Sequence, residues 1–138
     1  MCVDANMLIP AFFVATSIKK ASAKTDAFDI VLLVSPGDCT PDQAAYAAAN
    51  GIIIDESVDL SPVTGIPILQ GRLSPATLFK LLLAEHFRER YRRIIYLDAD
   101  LTIHGDVSAL FRLDMKGFAV AAVPSARVWL DKPDRVKY

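Results

Sequence analysis

Two aspartates, Asp98 and Asp100, follow an apolar run within RRIIYLDADLTIHGDVSALFRLD, residues 92–114. Residues i and i+2 of an extended segment point to the same side, so both carboxylates can face one point. Two such carboxylates repel each other unless one is protonated or a cation lies between them. Oxygen ligands of this kind suit Mg²⁺ or Mn²⁺, which complete their coordination shells with phosphate oxygens. The spacing therefore points to a divalent cation held against a phosphate group.

The same residues also have purely structural explanations. Aspartates at strand ends form turns and cap helices, and a D-x-D spacing arises readily by chance in a chain with many aspartates. We interpret His104 as structural rather than as a metal ligand. Gly105 and Asp106 are interpreted as a turn that caps the short helix after it. The position of Asp98 directly after a buried run favours the metal hypothesis over the turn hypothesis.

The elements that must position these aspartates alternate between strands and helices. Apolar runs predict strands over residues 1–3, 28–34, 51–54, 93–97 and 118–123. Capping residues and prolines predict helices over residues 10–21, 40–50 and 74–87, a short helical turn over residues 107–111, and a surface loop over residues 56–73. This order predicts an α/β fold with a mostly parallel sheet flanked by helices.

Two groups of polar residues follow predicted strands at the same kind of position. Asp4 and Asn6 follow the first strand, and Asp98 and Asp100 follow the fourth. Ligands of parallel α/β sheets sit in the crevice at the carboxyl ends of the strands. The two groups are therefore candidate neighbours if the two strands are adjacent.

Composition narrows the class of protein. The chain has 138 residues, is 53% hydrophobic and carries a net charge of -1, so it can bury a core and has no field that recruits nucleic acid. Cys2 and Cys39 form no zinc spacing and demand no disulfide. Asp4 stands where a signal peptide needs basic residues, and the apolar run after it contains Pro10. We expect a cytoplasmic protein without a transmembrane segment.

The segments SPATLFKLLLAEHF (residues 74–87) and YRRIIYLDADLTIHGDVSALFRLD (residues 91–114) resemble glycosyltransferase family 8. This family includes bacterial lipopolysaccharide galactosyl- and glucosyltransferases and glycogenin. Its members show a YLDADhhhxGDhxxLhxhD segment, which residues 96–114 match almost throughout. The opening CVDANML resembles the family's ADxNY turn, with Asp4 and Asn6 in the matching places and Met7 where the family has tyrosine.

The resemblance implies a GT-A-like fold, of which residues 1–138 would be the nucleotide-sugar-binding part, truncated at the C-terminus. It implies that Asp98 and Asp100 hold Mn²⁺ or Mg²⁺, which bridges the diphosphate of a UDP-sugar. Lys80 matches a basic position, usually arginine, near the sugar donor. The donor-contacting residues implied in this way are Cys2, Val3, Asp4, Asn6, Lys80, Asp98 and Ala99.

The activity that the resemblance implies is transfer of a hexose from a UDP-sugar, with retention of configuration, to a saccharide or lipopolysaccharide acceptor. No catalytic residue can be assigned. In the family, the acceptor site and a histidine metal ligand lie further along than Tyr138, so we expect the donor-binding half of an enzyme. The expected location is the cytoplasm, or the inner face of the membrane as a peripheral protein.

Two other hypotheses stay open at this point. The segment IIYLDADLT also fits a haloacid-dehalogenase-like phosphatase, with Asp98 as nucleophile, Asp100 as acid/base and Thr102 in a positioning role. That motif normally opens its domain, whereas here most of the chain precedes it. The third hypothesis is an inactive fragment that binds a nucleotide sugar without turning it over.

Overall fold

The computed structural model describes residues 1–23, 27–59, 61–63 and 76–123. Its sheet has three parallel strands in the order β1 (Cys2–Val3), β2 (Val31–Val34) and β3 (Ile53–Asp55). Cys2 pairs with Leu33, and Val31 pairs with Ile53. Helices connect the strands, as parallel pairing requires. The predicted parallel α/β architecture is confirmed, and these three strands lie within about two or three residues of their predicted bounds, as is usual for element ends.

Helix α1 (Leu8–Ala21) connects β1 to β2 and supplies much of the core. Its buried residues recur at helical spacing, so one face packs on the sheet; they are Leu8, Ala11, Phe12, Val14, Ala15 and Ile18. Lys19 and Lys20 lie in the last turn, where positive charge is favourable to the helix dipole. The helix begins two residues before the predicted start because a 3₁₀ turn, Ala5–Met7, leads directly into it.

Helix α2 (Pro41–Ala49) connects β2 to β3, and its bounds agree with the capping residues in its sequence. The Thr40 hydroxyl accepts a hydrogen bond from the Gln43 amide, and the Gln43 side chain accepts one from the Thr40 amide, which is a capping box. Pro41 occupies the first turn, where its missing N–H has no cost. Gly51 ends the helix with φ of +59°, a left-handed conformation that glycine adopts without strain.

Strand β2 is buried on both faces, which explains its unbroken apolar sequence. Leu32 and Val34 face the cluster that contains α1, and Leu33 faces a second cluster on the opposite side of the sheet. The second cluster is formed by Leu33, Val58, Phe79 and Phe87. Two helices therefore cover the far face, α3 (Ala76–Phe79) and α4 (Leu83–Phe87).

Helices α3 and α4 replace the single helix predicted over residues 74–87, of which residues 74 and 75 lie outside the described residues. The Leu81 amide bonds to the Leu78 carbonyl, and the Leu82 amide bonds to the Phe79 carbonyl. These i→i+3 bonds tighten the chain into a turn before the helix resumes. Phe79 and Phe87, one from each helix, both pack in the cluster on the far face of the sheet.

The predicted strand over residues 93–97 is wrong, because this segment has no strand pairing in the structure. A cavity of about 380 Å³ lies between the segment and the sheet, lined by Met1, Val31 and Leu33 on one side and residues 93–97 on the other. Strand β1 has only two residues, so it offers a neighbour very little ladder to pair with. The segment runs beside the sheet without joining it.

The predicted strand over residues 118–123 is also wrong. Phe118, Val120 and Val123 are 74%, 79% and 94% exposed, so no described element packs against them. An apolar run predicts a buried strand only when a neighbouring strand or helix covers it.

The short helical turn after the aspartates is confirmed as a 3₁₀ helix, Val107–Arg112. Its N-cap is Asp106, whose carboxylate accepts a hydrogen bond from the Ser108 amide at 2.8 Å, as predicted. The loop predicted over residues 56–73 contains a second 3₁₀ turn, Ser61–Val63, and residues 60 and 64–73 of it lie outside the described residues. None of the described helices has the length and hydropathy that crossing a bilayer requires.

Candidate functional site

The turn after β1 is held by Asp4, the first of the predicted polar site residues. Its Oδ1 atom accepts hydrogen bonds from the Asn6 amide at 3.0 Å and the Met7 amide at 3.2 Å, which caps the 3₁₀ turn. Asn6 is exposed at this turn. Both polar side chains therefore lie immediately beyond the carboxyl end of β1, which is the edge at which ligands of parallel sheets bind.

The two candidate metal ligands are exposed on either side of a buried residue. Asp98 and Asp100 are exposed, whereas Ala99 between them is only 7% exposed. Ala99 belongs to the large apolar cluster that also contains Val3 and Leu8, so the turn is anchored on the core. The structure forms a turn at Ala99 and Asp100, with one exposed carboxylate on each side of the buried residue.

Lys80 and Asp98 both lie close enough to Cys2 in β1 to affect the pKa of its thiol. Burial raises the pKa of the Cys2 thiol to about 11, while the positive charges of Met1 and Lys80 lower it and the charge of Asp98 raises it. Lys80 is exposed. The residue before it, Phe79, is fully buried and anchors α3 in the core. The predicted donor residues Cys2, Lys80 and Asp98 are therefore close enough to influence one another electrostatically.

The amino group of Met1 also faces this region. It donates a hydrogen bond to the Val31 carbonyl at 2.9 Å, which extends the pairing of β1 with β2. Burial lowers the pKa of this ammonium, while Cys2 and Asp98 act to raise it. A neighbouring carboxylate thus partly offsets the cost of burying this charge.

Tyr96 contacts Asp98 directly. Its hydroxyl donates a hydrogen bond to Asp98 Oδ1 at 2.8 Å. The pKa of Tyr96 is raised, first by burial and then by this hydrogen bond and the negative charge of Asp98. Sequence reasoning did not single out Tyr96, although its position two residues before Asp98 places it on the same side of an extended segment.

The chemistry of this donor set fits a divalent cation that shares its shell with a ligand. Among residues 1–23, 27–59, 61–63 and 76–123, no three His, Cys, Asp or Glu side chains form a potential metal cluster. Asp98 and Asp100 are the two carboxylates that the sequence predicts as ligands. Mg²⁺ and Mn²⁺ typically bind one or two carboxylates and take their other ligands from water and substrate phosphates.

A second polar cluster, unpredicted from the sequence, lies at the carboxyl end of β3. Asp55 Oδ2 is 3.0 Å from Nε2 of His86 on α4, and Asp55 Oδ1 accepts hydrogen bonds from the amide and hydroxyl of Ser57. The side chains of Asp55 and His86 are only 11% and 18% exposed. Burial raises the pKa of Asp55, but the hydrogen bonds from Ser57 and His86 outweigh it and hold the pKa below its ordinary value.

The Asp55 cluster predicts a pH-dependent stability. A carboxylate whose folded pKa is depressed stabilises the fold above the unfolded pKa of about 3.9, and this stabilisation is lost as pH falls through the lower folded value. We expect Asp55→Asn to lower the free energy of unfolding by about 1 to 3 kcal/mol at pH 7, and by less at pH 3, which lies below the unfolded pKa. Urea denaturation followed by circular dichroism at both pH values measures this difference.

Asp59→Asn is the matched control for this experiment. Asp59 accepts the same pair of hydrogen bonds from a serine two residues on, Ser61, but it is exposed and has no histidine partner among the described residues. We expect its loss to change stability little at either pH. A stability loss in Asp55→Asn that is the same at pH 7 and pH 3 would contradict the assignment.

The chain matches the model of glycosyl transferase family 8 over residues 1–137, and it therefore belongs to that family. Its parallel sheet flanked by helices is consistent with the GT-A-like α/β fold expected of such a glycosyltransferase. No curated protein and no solved structure matches the chain.

Proposed function

We propose that this chain binds a UDP-sugar together with Mn²⁺ or Mg²⁺ and serves retaining transfer of a hexose to a saccharide or lipopolysaccharide acceptor. Residues 1–138 form the nucleotide-sugar-binding part of a single GT-A domain in this proposal. The observation that carries it is the pair of exposed carboxylates, Asp98 and Asp100, on either side of buried Ala99, with Asp98 close enough to Cys2 of β1 to affect its pKa. Membership of the family favours this function over the phosphatase.

Each predicted site residue has a role in this proposal. Asp98 and Asp100 hold the cation, and Asp4 and Asn6 contact the ribose and uracil together with the turn at Cys2 and Val3. When bound, the cation supplies a Lewis acid that neutralises the negative charge developing on the departing diphosphate. Lys80 adds a positive point charge near the donor, without the bidentate geometry that an arginine would provide.

The location of the reaction follows from the proposed substrates. We place it in the cytoplasm, or at the inner face of the membrane with the protein bound peripherally.

Calorimetric titration of UDP, with and without Mn²⁺, tests the proposed donor site. Mn²⁺ alone should bind weakly, because two carboxylates leave most of its shell to water. With UDP present, phosphate oxygens complete the shell, so we expect Mn²⁺ to tighten UDP binding by about 5-fold to 150-fold. By linkage, UDP must tighten Mn²⁺ binding by the same factor.

Uridine is the control ligand, because it has the base and ribose but no phosphate. Its affinity should not depend on Mn²⁺. Equal UDP affinity with and without Mn²⁺, in protein shown to be folded by circular dichroism, would show that Asp98 and Asp100 are turn residues rather than ligands.

A further inference from the structure

The hydrogen bond between Tyr96 and Asp98 suggests a role for a residue outside the metal ligands. We propose that Tyr96 is a positioning residue for the metal site, whose hydroxyl holds Asp98 Oδ1 and leaves Oδ2 for the cation. The supporting contact is the 2.8 Å bond from the Tyr96 hydroxyl to Asp98 Oδ1. This inference rests on the proposed function, because it concerns the same pair of carboxylates.

The placement of Tyr96 suits this role. Its ring is partly buried and lines the cavity beside the sheet, while its hydroxyl reaches the exposed carboxylate of Asp98. The aromatic ring is thus held by packing, and the polar hydroxyl group lies at the site. An exposed aspartate would otherwise sample several rotamers, and a partner that holds one oxygen reduces this freedom before the cation binds.

Electrostatics supports the same conclusion. Asp98 and Asp100 carry like charges two residues apart, so they repel each other in the absence of a cation. A neutral hydroxyl donor at Asp98 offsets part of this repulsion without competing with the cation. The positive charge of a lysine or arginine at the same place would compete with it. The hydrogen bond also withdraws some electron density from Asp98, but loss of such outer partners usually weakens metal binding, by about 10-fold to 100-fold.

Tyr96→Phe tests the role, because it removes the hydroxyl and keeps the ring. We expect UDP affinity without Mn²⁺ to stay within about twofold of wild type, and most of the Mn²⁺-dependent gain in UDP affinity to be lost. Tyr91→Phe is the matched control, because Tyr91 lines the same cavity and its hydroxyl donates to a different carboxylate, that of Asp29. It should retain the full gain.

The possible outcomes separate this inference from the proposed function. Wild-type protein without any Mn²⁺-dependent gain would refute the proposed donor site, and the role of Tyr96 with it. A wild-type gain that Tyr96→Phe retains in full would refute the role of Tyr96 alone. Equal losses of UDP affinity with and without Mn²⁺ would show that Tyr96 only supports the fold, and would also overturn the inference.

A second measurement uses protein with an intact Tyr96 and so does not depend on the folding of Tyr96→Phe. If the hydroxyl holds a metal ligand, adding Mn²⁺ to the UDP complex should change the tyrosine bands of the ultraviolet difference spectrum. Tyr91→Phe protein should show the same change. A spectrum without any Mn²⁺-dependent change in the tyrosine bands would overturn the inference.

Discussion

Asp100→Asn should abolish most of the gain in UDP affinity that Mn²⁺ produces, while the fold survives. The substitution keeps the shape of the side chain and removes one negative charge from the pair. Asp98 alone then holds the cation, so the coupling between metal and nucleotide loses most of its expected 1–3 kcal/mol, or about 5-fold to 150-fold in affinity. Because Asp100 is exposed, its loss leaves no buried group without a partner. Calorimetric titration of UDP with and without Mn²⁺ measures the change.

Asp114→Asn is the control that distinguishes the loss of a metal ligand from the loss of one negative charge anywhere in the segment. Asp114 is exposed, belongs to the same segment, and accepts a hydrogen bond from the Lys116 amide as an ordinary turn residue. Its replacement removes the same charge from the protein and should leave the coupling intact. If both variants lose the coupling equally, net charge rather than ligation is responsible. If Asp100→Asn retains it, Asp100 is a turn residue.

Phe79→Ala should produce the largest loss of stability, about 3–5 kcal/mol, because it opens a cavity between α3 and the sheet. Phe79 is fully buried and packs in the cluster with Leu33, Val58 and Phe87. Small domains have only about 5–15 kcal/mol of stability in total, so this variant should be close to unfolding. Urea denaturation followed by circular dichroism measures the free energy of unfolding.

Leu81→Ala is the control for Phe79→Ala. Leu81 lies two residues further along and is 65% exposed, so its truncation removes little buried surface. We expect a change of no more than about 0.5 kcal/mol. Comparable losses in the two variants would mean that α3 is not anchored on the sheet through Phe79. Since Lys80 follows Phe79 directly, such a result would also weaken the placement of Lys80 at the donor site.

The residues that carry local signals were predictable from the sequence. The ends of α2 are defined by Thr40, Gln43 and Gly51, through hydrogen bonds and dihedral angles that involve only nearby residues. The types of these residues alone therefore predict the helix. The apolar run of β2 predicts a strand buried on both faces, which Leu32 and Leu33 confirm on opposite sides. The exposure of Asp98 and Asp100 is likewise what their charged side chains predict.

Features that depend on distant neighbours were decided only by the tertiary structure. Residues 93–97 and 118–123 contain apolar runs, as β2 does. Neither forms a strand, because a strand exists only where another strand offers free backbone groups at the right distance. The pairing of Asp55 with His86 joins residues 31 positions apart and could not be read from either residue. The break between α3 and α4 was not predicted from the sequence either. Local sequence determines which backbone conformations are low in free energy, and long-range packing selects among them.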